Sequence, residues 1–331
     1  MRNQRIEMKL GTLRCVLLKA IGRGGVPAGA VPTGRVDACP SHGSDRQLTT
    51  PCHICGITDV GRVRKLNEDA YRISADGRFF VVADGMGGHA AGEVASELAV
   101  STLVDFVQDA LHREGAPPDA DVASLLLRAI DAAHERVRRE AAAREGCKGM
   151  GTAIVMGMVL GDRLHTCHVG DSRCYVMTAA GLTVLTRDHS MVARLVQAGT
   201  LNPGDVRTHP RRNELLQALG LPMQLEPDVN ACDLATRDRV LLCSDGLWES
   251  LEDDDIRRII SGDRSVVGCA RRLVDRAARA GGRDNITAVV YEHVPPSPSA
   301  RTDDASACTS NGPHLGPNEQ GLAKGAKGEN M

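Results

Sequence analysis

Apolar residues along this chain fall into two kinds of pattern. Phe79-Phe80-Val81-Val82-Ala83 is an unbroken apolar run ending at Asp84-Gly85, which predicts a strand buried on both faces. Residues 91–112 instead place Val94, Leu98, Val104 and Val107 at helical spacing without a proline, and residues 122–144 repeat this with Leu126, Ile130, Ala133 and Val137. Two amphipathic helices are predicted. Short strands follow at 152–160, 163–168, 173–177 and 182–186, joined by turn residues such as Gly161-Asp162 and Ala180-Gly181, as successive antiparallel strands would be. A further apolar strand at 239–243, helices at 253–260 and 265–280, and a last strand at 286–291 complete the pattern. Strands and helices come in groups rather than in alternation, so an α+β body with helices outside antiparallel sheets is expected.

The two ends lack such periodicity. Residues 1–54 carry Gly24-Gly25, several prolines and an excess of basic groups, and read as a flexible N-terminal extension, with a misplaced start codon or a basic docking tail as alternatives. Residues 294–331, rich in Pro, Ser, Gly, Asn and Lys, bury too little apolar surface to order themselves and read as a disordered tail. The body between them, 55–293, has the size of one domain.

Composition narrows the function. Forty Lys and Arg against 42 Asp and Glu leave a formal charge of −2, which gives no field to gather nucleic acid or an anionic membrane surface. No stretch reaches the roughly 18 uninterrupted apolar residues of a membrane helix. The 11 cysteines are an odd count without repeating spacing, and are expected to be reduced thiols in a cytoplasm.

Four aspartates stand where a predicted strand meets a loop, each beside a glycine or a small polar residue: Asp84 in VVADGMGG, Asp171 in HVGDSR, Asp245 in LLCSDG and Asp284 in GGRDN. Any one of them alone would more often be an ordinary turn residue. Yet an ionised aspartate beside a core is costly without an offsetting cation, and the strands leading to Asp84 and Asp245 supply no Lys or Arg. Hard ions such as Mg²⁺ or Mn²⁺, held by carboxylates, water and a backbone carbonyl, meet that need. Gly85 has no side chain to keep its carbonyl from an ion.

The ordered blocks GRVRKLNEDAY, VVADGMGGHAAGE, MGTAIV, HVGDSR, LTRDHS, LLCSDGLWE and GGRDNITAVV resemble the bacterial branch of the 2C-type metal-dependent serine/threonine protein phosphatases, over about 57–291. The resemblance implies a four-layer αββα fold, with a β-sandwich of two antiparallel sheets flanked by helix pairs and a metal centre at one end. It implies that Asp84 bridges two Mn²⁺ or Mg²⁺ ions, that Gly85 offers its carbonyl, that Asp245 and Asp284 complete the direct ligands, and that Asp171 serves a weaker third ion. Arg64 matches the arginine that clamps the substrate phosphate, and Glu68 and Asp69 match acids that hold metal-bound waters. The implied reaction is in-line attack on a phosphate monoester by water held between the ions, without a phosphoenzyme. The histidine that in many eukaryotic members directly follows the metal-binding Asp-Gly is Met86 here, and His89, His189 or a metal-bound water is expected as general acid. Implied partners are phosphorylated protein substrates and an opposing Ser/Thr kinase, and the chain is expected to be a cytoplasmic monomer.

Residues 190–215 correspond to the family's flap, and Arg207, Arg211 and Arg212 there are expected either to contact acidic or phosphorylated substrate surfaces or to form a solvated loop. Cys52-His53-Ile54-Cys55 lacks a second ligand pair, and His165 and His168 fall on opposite strand faces, so neither is expected to bind metal. The competing readings are a non-catalytic module of the same fold, which should lack a metal aspartate, and a nuclease or phosphodiesterase, which should show a basic track.

Overall fold

The computed structural model describes residues 35–38, by their backbone, together with 53–87 and 91–295. In chain order the elements are β1 (Arg35–Ala38), β2 (Ile54–Asp59), β3 (Asp69–Ile73), β4 (Phe79–Met86), α1 (Ala91–Glu114), α2 (Asp119–Ala143), β5 (Gly151–Leu160), β6 (Arg163–Val169), β7 (Arg173–Thr178) and β8 (Gly181–Val184). Then come α3 (Met191–Gln197), a 3₁₀ turn (Pro203–Thr208), β9 (Asp228–Asp233), β10 (Arg239–Cys243), α4 (Asp245–Trp248), α5 (Asp253–Gly262), α6 (Val266–Arg279) and β11 (Ile286–Glu292).

Two antiparallel sheets result, one ordered β1-β2-β11-β10-β7-β8 and the other β3-β4-β5-β6-β9. Strand alternation sorts the side chains into three apolar layers. From β4, Phe79, Val81 and Ala83 join a cluster with α1 and α2 residues such as Leu103 and Leu126, while Phe80 and Val82 meet Val240, Leu242 and Val289 between the sheets. From β10, Leu241 and Cys243 instead pack with α6 residues such as Leu273. Both sheets are thus covered on both faces, which is why their strands read as continuous apolar runs. Gly157 of β5 leaves room for the Phe80 ring, which a Cβ there would approach to 2.7 Å.

The turns expected at 161–162 and 180–181 join the antiparallel pairs β5–β6 and β7–β8, and between the two pairs the chain crosses from one sheet to the other at residues 170–172. One expectation needs correction: the domain begins upstream of 55, because β2 starts at Ile54 and β1, inside the expected flexible extension, pairs with it from Arg35↔Thr58 to Ala38↔Cys55. A strand of four residues is too short for its periodicity to show. The remainder of 1–52, and residues 296–331 of the expected tail, lie outside the described residues.

Candidate metal centre

Each predicted ligand sits where an apolar strand ends or begins. Asp84 lies near the end of β4, directly opposite Asp69 on β3. Asp171 occupies the crossing from β6 to β7, Asp245 opens α4 after β10, and Asp284 precedes β11. These positions converge, and the charges of Asp245, Asp69, Asp171 and Asp284 all bear on the Asp84 carboxylate. The four aspartates singled out in the sequence therefore form one cluster at one end of the sandwich.

Neutral polar groups brace the cluster. Ser244 Oγ and Thr287 Oγ1 both donate to Asp69 Oδ2 at 2.7 Å. Asn285 N donates to Asp284 Oδ1 (2.8 Å), Asn285 Nδ2 donates to the Val60 and Leu66 carbonyls (2.9 Å each), and Asn285 Oδ1 accepts from Glu68 N (2.8 Å). One side chain thus fastens the Arg64 loop to the Asp284 turn. Backbones cross closely here: a Cβ on Gly85 would lie 2.1 Å from Gly92 O and 2.5 Å from Glu68 O. The glycine at 85 therefore answers a steric demand of its own, beyond the ligand role expected of it.

The electrostatics are unfavourable for bare carboxylates. Burial, then the charges of Asp245, Asp69, Asp171 and Asp284, push Asp84 well above the carboxylate range. Asp245 is raised likewise by burial and by Asp171, Asp284 and Glu249. Burial lifts Asp69 to about 7 against its hydroxyl donors, and burial with Asp188 lifts Asp171 to about 7. Glu68 is raised by burial, with Arg64 opposing. Arg64 is one cation at the cluster, its Nη2 2.7 Å from Asp284 Oδ2 and its Nη1 3.4 Å from Glu68 Oε2, with the side chain 44% exposed. Arg173 also bears on Asp171, but it is forked by Asp188, and these guanidiniums do not balance so many acids. Asp69 Oδ1 and Asp245 Oδ1 are buried and have no hydrogen-bond partner among the described residues. Orphaned acceptors of this kind, an all-oxygen donor set and an excess of negative charge fit a hard divalent cation.

The histidines part company with this centre. His89 lies outside the described residues. His189 Nδ1 accepts from Gly170 N (3.3 Å), which leaves its proton on Nε2, 3.4 Å from Asp228 Oδ2. Both nitrogens are engaged, so the ring presents no free edge to a leaving group. His168 stacks on His189 with centroids 4.7 Å apart and donates from Nε2 to Arg187 O (2.9 Å). The donor atoms of His168, His189 and Asp228 lie within 4.8 Å of one another, a proximity invisible in sequence because β6, the loop between β8 and α3, and β9 supply one residue each. The Gly170 N–H nonetheless keeps a proton on the His189 nitrogen that would have to bind an ion, and the set reads as a hydrogen-bonded knot.

The flap arginines are also engaged. Arg207 Nη1 pairs with Glu252 (2.5 Å) while Nη2 donates to Leu251 O (2.9 Å), Arg211 forks Glu214 (2.5 and 2.9 Å), and Arg212 lies 3.8 Å from Glu249. Local acids answer the basic cluster, and two of its members tie the flap to the segment after α4. Sequence reasoning overlooked Glu249 and Asp188, two further acids felt at the centre. Glu249 stood inside a block whose Asp-Gly drew attention, and nothing local marked either residue. Burial holds the Cys167 thiol up at about 12 and raises Cys243 further, which excludes both as thiolate nucleophiles.

Comparison with known proteins identifies the family. A family model described as Protein phosphatase 2C matches residues 62–286. Serine/threonine protein phosphatase PstP of Mycobacterium tuberculosis is 36% identical over 248 residues, covering 75% of this chain but 46% of that protein, so the chain spans about half the length of this relative. Serine/threonine phosphatase stp of Listeria welshimeri is 35% identical over 238 residues, covering 71% of this chain and 93% of the relative. Among solved structures, the catalytic domain of PstP in complex with two manganese ions superimposes with a TM-score of 0.64 at 33% identity, over 72% of this chain and 96% of that one.

Proposed function

Because this chain belongs to the protein phosphatase 2C family, we propose that it is a metal-dependent serine/threonine phosphoprotein phosphatase, hydrolysing phosphate monoesters in opposition to a cellular Ser/Thr kinase. The observation that carries the reading is the buried, mutually repelling acid cluster with its orphaned carboxylate oxygens. Asp84, Asp245 and Asp284, with the Gly85 carbonyl, are the direct ligands of two Mn²⁺ or Mg²⁺ ions in this reading. Asp171 serves a weaker third, and Glu68 and Asp69 act through water. When bound, the ions supply the Lewis acidity that activates water and neutralises phosphoryl charge.

The rest of the task falls to the chain itself. Asn285 fixes the Arg64 loop from below, so the guanidinium is already aimed over Asp284. It can exchange that carboxylate for two phosphate oxygens, a pairing its planar fork suits. Ser244 and Thr287 hold Asp69 in one orientation with its other oxygen free. With His189 engaged elsewhere, His89 is the histidine left to protonate the leaving oxygen.

Hydrolysis of p-nitrophenyl phosphate and of a phosphothreonine peptide with Mn²⁺ is the direct test. Activity should vanish with a chelator and fall by a factor of about 100 or more in Asp245→Asn, as losing a ligand to the reacting ions implies. Full activity in that variant would sink the assigned site, and an inert wild type with Mn²⁺ would favour the non-catalytic module.

A further inference from the structure

Around Asp171 the contacts close into a ring that no metal-ligand assignment requires. Trp248 Nε1 donates to the Asp171 carbonyl (2.9 Å), and the Arg173 guanidinium lies over the Trp248 ring, its Cζ 3.6 Å from the centroid. The same guanidinium forks Asp188, Nε to Oδ1 at 2.9 Å and Nη2 to Oδ2 at 2.7 Å. The neighbour of Asp188 in the chain, His189, returns to Gly170 twice, by its N–H to Gly170 O (2.8 Å) and by its ring to Gly170 N (3.3 Å). Gly170 precedes Asp171, and the ring is complete. Nearly all of it is buried: the Arg173 and Asp188 side chains are 17% and 8% exposed, and Trp248 4%.

We propose that Arg173 is a positioning residue for the Asp171 carboxylate. It holds Trp248 against one side of the residue 170–171 turn and the Asp188-His189 segment against the other. Trp248 belongs to the same short helix as Asp245, and Arg173 stands opposite Cys243, two residues before Asp245, in the β7–β10 register. The ring therefore sets Asp171 and Asp245 relative to each other across the β6–β7 crossing, which the strand ladders themselves do not span. An ion shared between those two carboxylates depends on this spacing, and outer groups that orient a ligand commonly change metal affinity by about 10–100-fold. Arginine is specifically required. A lysine keeps the charge but can neither donate two parallel N–H groups to Asp188 nor lie flat on an indole.

The inference rests on the reading of Asp171 as a ligand of the weaker ion, and the test separates the two. Mn²⁺ binding to the full chain is followed by calorimetry and by emission of Trp248, the one tryptophan in the sequence. In the wild type, emission should change over the concentration range that fills the weakest site, and in Asp171→Asn that phase should disappear. Arg173→Lys should leave the tighter ions in place, weaken the last by about tenfold or more, and shift the emission of the metal-free protein as the indole loses its cationic cover. Trp248→Phe, which removes the indole N–H but leaves Arg173 intact, should weaken the same ion by calorimetry and stands in if the arginine variant fails to fold. Wild-type binding in Asp171→Asn overturns the third-ion reading. Loss of the weak phase there, with wild-type affinity in both Arg173→Lys and Trp248→Phe, overturns the positioning role alone.

Discussion

At the scale of single residues, the centre is a place where stability is given up for chemistry. Asp84 feels the charges of Asp245, Asp69, Asp171 and Asp284 at once, in surroundings that already disfavour ionisation. Asparagine has the same shape and no charge, so Asp84→Asn removes that repulsion from the metal-free protein. With chelator at pH 7.5 the variant should melt higher than the wild type. Relief of about 1 kcal/mol corresponds to about 2–4 °C for a domain of this size. Added Mn²⁺ should reverse the order, and phosphatase activity should be lost. A variant that melts lower than the wild type in chelator would show that the cluster is not under electrostatic strain. The clustered aspartates were legible because each stands at the end or the start of an apolar run, Asp84, Asp171 and Asp245 after one and Asp284 just before one. Asn285 was not, although it joins Asp284, Glu68 and the Arg64 loop. Its value lies in three side-chain partners, Glu68 N and the Val60 and Leu66 carbonyls, that adjacency in sequence does not predict.

At the scale of elements, legibility followed burial. Strands covered on both faces, such as β4, β5, β10 and β11, announced themselves as apolar runs, whereas β9, an edge strand reading Asp-Val-Asn-Ala-Cys-Asp with its side chains mostly part-exposed, did not. The chain's change of sheet between β6 and β7 was also hidden, because two hairpins in different sheets carry the same turn signals as a meander. The junctions beyond the strands set the ligands, and α4 is the tightest of them. A Cβ on Gly246 would lie 2.0 Å from Asn285 O and 3.2 Å from Asp284 Cβ. Gly246→Ala must therefore push α4 away from the turn that carries Asp284, a backbone clash of the kind that costs about 1–3 kcal/mol or more. The expected result is a melting temperature lower by several degrees together with weaker Mn²⁺ binding, measured by calorimetry on the folded fraction. Undiminished affinity would mean that α4 and the Asp284 turn are not held in register by this contact.

For the molecule as a whole, the charge cluster makes stability depend on pH in a direction opposite to ordinary acid denaturation. Asp69 and Asp171 titrate near 7 in the fold, against an ordinary 3.8, so between about pH 4 and 7 the folded chain holds protons that the unfolded chain has released. Stability from these groups is full below about pH 4 and drains away as pH rises through 7. A divalent cation held by these acids would reverse the cause, because it would favour the ionised carboxylates and join both sheets, Asp84 coming from one and Asp245 and Asp284 from the ends of strands in the other. The stabilisation by Mn²⁺ should therefore be small at pH 5, where protons compete for the same oxygens, and grow towards pH 7.5. At 100 times the dissociation constant, ligand linkage gives about 2.7 kcal/mol, or about 5–10 °C at this chain length. Thermal melts across pH 5–8, in chelator and in Mn²⁺, make the comparison internal, since titrations elsewhere in the chain contribute to both curves and cancel in their difference. A difference that stays constant with pH would show that the ions bind without displacing protons, and that these acids are not what holds them.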